Sequence, residues 1–249
     1  MSLDKNELPD IYCLNYANIE RRHEMKTIFN NFNGINVIWS DGVKINDARI
    51  PSYIDDNKKR TWSMCYGHLE MINNFINNSN KEYAIFCEDD LLIRNDFMKQ
   101  VPKLVEIANE NGLDIILMGY LCENKIDEYI NFPEIYVSKK DFPFKVLDYI
   151  GMESVWGAQM YLLSRKQGHF LLDKYYTDYA MKTLLTPNMT PFNPDWTITK
   201  EGKHSLIYPP IAIENGRTMY NLYGQMRARN ACYEFCYKKE LFDYTHSNN

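Results

Sequence analysis

No apolar run in the 249 residues approaches the roughly 18 that a membrane-spanning helix needs, so none is expected. A basic excess is missing too: 28 Lys and Arg stand against 33 Asp and Glu, a formal charge of -5, where a nucleic-acid binder normally carries a cationic surface. The first ten residues hold three acids and no apolar core, which is unlike a secretory leader. Zinc-ligand spacing is absent. Of six cysteines only Cys232 and Cys236 share a helical face, and such a pair is not a four-ligand site. Cys13 and Cys87 sit in apolar, strand-like runs, where a reduced thiol behaves as a small hydrophobe. No internal repeat and no long polar linker divides the chain. The expectation is one soluble, cytoplasmic domain with a substantial core and no nucleic-acid partner. Abundant Asn, scattered and not in tracts, is read as the codon bias of an AT-rich genome (virus, protist or bacterium).

What is present alternates. Ile11 to Tyr16 reads as a buried strand, followed by a helix over Asn18 to Phe32 that Gly34 ends. Ile35 to Trp39 is a second strand and Trp62 to Ile76 a second helix. Tyr83 to Cys87 is a third strand, stopped by three acids. A helix over Asp96 to Ala108 leads through Gly112 to a strand over Asp114 to Met118. Such alternation predicts an α/β fold, a mostly parallel sheet flanked by helices. Beyond Tyr120 the pattern is mixed: short strands over Ile135 to Val137, Val146 to Tyr149 and Gln159 to Leu163, then a helix from Arg165 to about Tyr175. One last strand lies between His204 and Glu214, and the tail is aromatic and mildly basic.

Glu88-Asp89-Asp90 is the most informative segment. Three carboxylates after a buried strand repel one another and lose hydration, which is costly unless a cation neutralises them. Oxygen ligands suit Mg²⁺ or Mn²⁺. The carboxyl end of a strand in an open α/β sheet is where ligands bind. On position alone, a solvated acidic turn is an equal alternative.

The wider sequence resembles glycosyltransferase family 25, which includes lipooligosaccharide and collagen galactosyltransferases. Leu14-Asn15-Tyr16 with Arg22 is similar to its opening strand, and Asp41-Gly42 to its Asp-Gly turn. His68 matches the His of its Ser-His helix, with Gly67 in place of the Ser. Glu88-Asp89-Asp90 resembles its metal motif, Tyr161-Leu162-Leu163-Ser164-Arg165 its Tyr-Leu-Ile-Ser-Arg segment, and Asn193-Pro194-Asp195-Trp196 its Pro-Val-Asp motif. Pro209-Pro210 is similar to a late Pro turn. The ordered set spans Ile11 to Pro210.

The resemblance implies a GT-A fold, with residues 1–120 on the nucleotide-sugar side and 121–249 on the acceptor side. It also implies inverting transfer of galactose or glucose from a UDP-hexose to a glycan or hydroxylysine, with Mn²⁺ or Mg²⁺ as cofactor. Asp90 would hold the metal, with Asp89 or Glu88 assisting it or contacting ribose. Asn15, Arg22, Asp41 and His68 fall on the donor side. A further ligand could come from His204 or Glu214. The base that takes the acceptor proton would be Asp195, beside Trp196, with Glu153 as runner-up; a helix N-cap is the alternative for Asp195. A catalytically silent glycan- or partner-binding module is the competing reading. A phosphotransferase is disfavoured, because no Thr or Gly-rich loop follows the aspartates.

Overall fold

In the computed structural model, which describes residues 8–122, 126, 132–149, 155–215 and 223–244, the apolar runs become central strands. β1 (Ile11–Asn15), β3 (Tyr83–Glu88) and β5 (Ile115–Cys122) are buried along almost their whole length, as strands covered on both faces must be. They share one sheet with β2 (Val37–Asp41), β6 (Glu134–Tyr136), β7 (Lys145–Asp148), β8 (Val155–Ser164) and β9 (His204–Tyr208). The strand order is β2-β1-β3-β8-β5-β9-β7-β6. β1 is parallel to β2 and β3, and β5 to β9. β8 lies antiparallel between β3 and β5, and β7 antiparallel between β9 and β6. Only β8 and β7 therefore run against the other six strands, and the fold is α/β with a mostly parallel sheet.

The helices are α1 (Ile19–Phe29), α2 (Asp56–Asn78), α3 (Phe97–Asn111), α4 (Arg165–Tyr175), α5 (Tyr179–Leu185), α6 (Pro194–Thr197), α7 (Tyr223–Cys236) and α8 (Lys239–Phe242). None is long and apolar enough to cross a membrane. Alternation along the strands assigns them to layers. Tyr12, Leu14, Ala84, Phe86, Tyr161 and Leu163 pack with the α2 residues Trp62, Leu69, Ile72 and Phe75. Ile11, Cys13, Ile85, Cys87, Met160 and Leu162 pack on the other face with Met25 and Phe29 of α1 and Leu104 and Ile107 of α3. Phe86 is 0% exposed, and burying one such ring stabilises the fold by about 1.5–3 kcal/mol. Its ring stacks on Tyr12 and Tyr161 at 5.3 Å each, which fixes β1, β3 and β8 side by side.

Local chemistry sets the boundaries. Asn18 caps α1, accepting from the Arg21 amide, and Asp55 caps α2 by accepting from Lys58. Gly112 ends α3 at φ 59°. Arg165 closes the far end of α2, donating to the carbonyls of Lys81 at 2.9 Å and Ile76 at 3.0 Å, and to that of Ser79. Gly67 lets α2 lie against β1, since a Cβ there would stand 3.0 Å from Leu14 Cδ1.

Two expectations are corrected. β8 starts at Val155, four residues before the expected Gln159, and projects past β3 at the carboxyl edge. The single last strand is two: β9 belongs to the large sheet, and β10 (Ala212–Glu214) pairs antiparallel with β4 (Leu91–Ile93) in a second sheet. Pro209 and Pro210 lie between them, and prolines cannot donate to a ladder.

Candidate functional site

The carboxyl ends of β1, β2 and β3 meet at one edge of the sheet, because Asn15 pairs with Asp41 and Leu14 with Glu88. Here opens a cleft of about 720 Å³ lined by Leu14, Tyr16, Arg21, Lys44, Ile45, Asn46, Arg60, Ser63, Met64, Glu88 and Asp89. Two acids face three cations across apolar walls. A volume of this order suits a nucleotide-sized ligand.

The acidic segment is built in, not solvated. Asp89 is 6% exposed and Asp90 7%. Arg21 bridges them, its Nη1 at 3.2 Å from both Asp89 Oδ1 and Asp90 Oδ2. Asn15 donates to Asp89 Oδ2 and, at 2.9 Å, to the Asn18 carbonyl, so it ties the strand end to the α1 cap. Among the described residues, Asp90 Oδ1 is buried without a hydrogen-bond partner. Glu214 comes alongside, because β10 pairs with β4 (Glu214 opposite Leu91) and the Asn215 amide donates to the Asp90 carbonyl at 2.6 Å. Its Oε1 is likewise without a hydrogen bond, and Arg229 Nη1 stands 3.8 Å from it.

Crowding shows in the proton affinities. Burial first, then Asp195 and Asp89, pushes Glu88 up to about 7 against the pull of Arg21. Burial and Glu88 carry Asp90 to about 7. Burial, Asp90 and Glu88 carry Glu214 to about 8. These are carboxylates that lack a counter-charge equal to their number.

His68 is fully buried between two elements of the site, with Nδ1 3.0 Å from the Tyr161 hydroxyl and Nε2 3.4 Å from Glu88 Oε1. Burial lowers it to about 4, so at neutral pH the ring is uncharged. A neutral ring that faces a carboxylate through Nε2 donates there and accepts from Tyr161.

Asp195 sits at the start of α6, half-buried. The capping alternative is taken by Asn193, whose side chain accepts from the Trp196 amide at 3.0 Å. Asp195 Oδ1 instead accepts from the Gly157 amide at 2.6 Å. Burial raises its carboxyl against that amide, Lys200 and His68. Gly157 has φ 101°, and a Cβ there would meet Gln159 Oε1 at 2.1 Å, so the position requires glycine.

Three expected residues lie elsewhere. Arg22 pairs with exposed Asp41 at 3.2 Å and lies 5.0 Å from the Trp39 ring centroid; neither lines the cleft. Arg21 does so instead, being nearer the centre of the stripe formed by Met25, Ile28 and Phe29. His204 opens β9 opposite Ile115, at the far edge of the sheet from the acids, with its ring against Tyr149 and Nδ1 on the Gly202 carbonyl. Register therefore removes it from any shared site with Asp90. Glu153 lies outside the described residues. Lys44, Arg60, Tyr161 and Gly157 were not singled out in the sequence. Of these, only Tyr161 fell inside a matched motif.

Among the described residues, no three His, Cys, Asp or Glu side chains already form a cage for a metal. Asp90 Oδ1 and Glu214 Oε1, neither of which takes a hydrogen bond from the described residues, are nevertheless hard oxygen donors in a buried acidic site, which fits a divalent cation completed by phosphate and water.

No protein-family model matches the chain, and no curated protein matches it. Among solved structures, A197 from STIV is similar with 12% identity and a TM-score of 0.41, over 85% of this chain and 92% of that one. A glycosyltransferase involved in glycosylation of the major capsid of PBCV-1 matches with 10% identity and a TM-score of 0.39, over 90% and 98%. HddC from Yersinia pseudotuberculosis matches with 14% identity and a TM-score of 0.35, over 91% and 76%. Likeness at this level carries nothing about activity, which is left to the residues of the cleft.

Proposed function

We propose that the chain is a metal-dependent, inverting glycosyltransferase of the GT-A type, resembling family 25, that moves galactose or glucose from a UDP-sugar to an acceptor hydroxyl. The observation that carries this is the buried Asp89–Asp90 pair at the carboxyl end of β3, with an Asp90 oxygen that takes no hydrogen bond from the described residues, beside a cleft lined by Arg21, Lys44 and Arg60. Three cations in the lining suit a diphosphate, and the apolar walls suit a base and ribose.

In this reading Asp90, with Asp89 and Glu214, would hold Mn²⁺ or Mg²⁺. When bound, that ion supplies Lewis-acid stabilisation of the departing diphosphate. The chain's own groups do the rest. Arg21 holds Asp89 and Asp90 in place and adds positive charge where the diphosphate leaves. Neutral His68 orients Glu88 by donating to it. Asp195, fixed by the Gly157 amide, takes the proton of the acceptor hydroxyl as that oxygen attacks the anomeric carbon.

Arg21 favours one second reading, since it already stands between Asp89 and Asp90 and could serve as the cation itself. One assay separates the readings: UDP release from a panel of UDP-sugars, with Mn²⁺ or EDTA, with and without acceptors. The proposal expects Mn²⁺-dependent release lost in Asp90→Ala. Equal release in EDTA assigns the cation to Arg21. No release or UDP binding by the wild type leaves a silent module.

A further inference from the structure

Beyond the donor cleft, the projecting end of β8 carries a feature that the proposed transfer does not yet use. Trp156 is 38% exposed, and its ring meets that of Trp196 edge to face, 6.4 Å between centroids. Both are joined to the candidate base: Trp196 follows Asp195 in sequence, and Trp156 precedes Gly157, whose amide holds Asp195. Register sets the direction. Met160 lies opposite Cys87 and Gly119, and across an irregularity at Gly157 Trp156 lies opposite Leu121, so Trp156 stands two β5 residues, about 7 Å at 3.3 Å per residue, beyond that level at the carboxyl edge. The donor cleft lies by the end of β1 and the segment Lys44 to Asn46 that follows β2, on the other side of β3 from β8. Donor cleft, acids and tryptophan pair thus follow one another across the sheet.

We infer that Trp156 and Trp196 form the acceptor platform of this site and that the acceptor is a carbohydrate, a pyranose ring lying with its C–H face on the exposed Trp156 indole and the perpendicular Trp196 ring walling its side. This rests on the proposed role of Asp195 as base. A pyranose presents an apolar face and a hydroxyl rim, and an indole offers a flat face of negative potential to those C–H groups. The rim then reaches Asp195, which needs one hydroxyl within hydrogen-bond distance. A hydroxylysine acceptor fits worse. Lys200 Nζ already stands 5.4 Å from the Trp196 ring centroid and donates to the Val155 carbonyl at 3.2 Å. A second ammonium would meet that positive charge, whereas a neutral sugar does not.

The test uses methyl α- and β-pyranosides of glucose and galactose, with hydroxylysine as comparison. It follows saturation-transfer NMR and tryptophan emission on the wild type, Trp156→Ala, Trp156→Phe and Trp196→Ala. UDP binding is measured on every protein. We expect pyranoside C–H signals on the wild type, binding weakened about tenfold in either alanine variant, partial recovery in Trp156→Phe, and UDP binding unchanged. Pyranosides that bind nowhere, or equally to all variants, overturn the platform while UDP binding keeps the donor reading. Preference for hydroxylysine overturns the acceptor class. Pyranoside binding without UDP binding in the wild type overturns the acceptor role and leaves a glycan-binding module.

Discussion

Replacing Asp90 by asparagine should stabilise the metal-free protein at pH 8. The Asp90 side chain is 6% exposed, and its carboxyl is raised from 3.8 to about 7, chiefly by burial and then by Glu88. Between about pH 4 and pH 7 the folded chain holds a proton that the unfolded chain has lost, so stability falls as pH rises through that window and the penalty is complete above it. At about 1.4 kcal/mol per pH unit the ceiling is about 4 kcal/mol. Part is lost because asparagine gives up the charge of the Arg21 contact at 3.2 Å. A net gain of about 1–3 kcal/mol remains, or about 3–8 °C in Tm for a chain of this size. At pH 5 only about a third of that window has been crossed, so the penalty the substitution removes there is about 1.6 kcal/mol, against about 4 kcal/mol at pH 8. Thermal melts in EDTA at both pH values read this directly. Adding Mn²⁺ at pH 8 should raise the wild-type Tm and leave Asp90→Asn unmoved. If Asp90→Asn lowers Tm equally at pH 5 and pH 8, Asp90 is a structural partner of Arg21 and the reasoning fails.

Arg21→Ala removes a side chain bonded to both Asp89 and Asp90, and should cost about 2–4 kcal/mol at pH 8 and less at pH 6, seen in urea melts. Arg165→Ala leaves three carbonyls near the end of α2 without their donor, and should cost about 2–3 kcal/mol without changing UDP affinity. Gly157→Ala forces a Cβ into Gln159 at φ 101°, costing about 1–3 kcal/mol, and should reduce transfer more than UDP binding because the amide that holds Asp195 shifts. Asp195→Asn should cut transfer about 10²–10⁴-fold with UDP binding kept; full transfer would remove Asp195 as base.

The central strands were legible because β1, β3 and β5 are buried on both faces and read as continuous apolar runs. The three-residue strands β4 and β10 are too short to show periodicity, and only pairing with each other makes them strands. The start of β8 was hidden by Gly157, which breaks the pattern locally while the sheet continues. On charge and position the acids were legible only as a candidate site, with a solvated turn as an equal alternative, and it is the fold that buries Asp89 and Asp90. Arg21 was missed for its neighbour Arg22, though helical spacing puts Arg21 nearer the buried stripe. His204 and Glu214 could not be told apart without knowing that Pro209-Pro210 sends the chain from one sheet to another. Lys44 and Arg60 reach the cleft from a loop and from α2, and nothing local in the sequence marks them.

The most direct test of a metal-dependent donor site is calorimetric titration of UDP into the wild type and Asp90→Asn, each in Mn²⁺ and in EDTA. The account predicts wild-type affinity at least about tenfold higher in Mn²⁺, a gain of about 1.4 kcal/mol, and no such gain in Asp90→Asn. Equal UDP affinity in Mn²⁺ and EDTA for the wild type would contradict it.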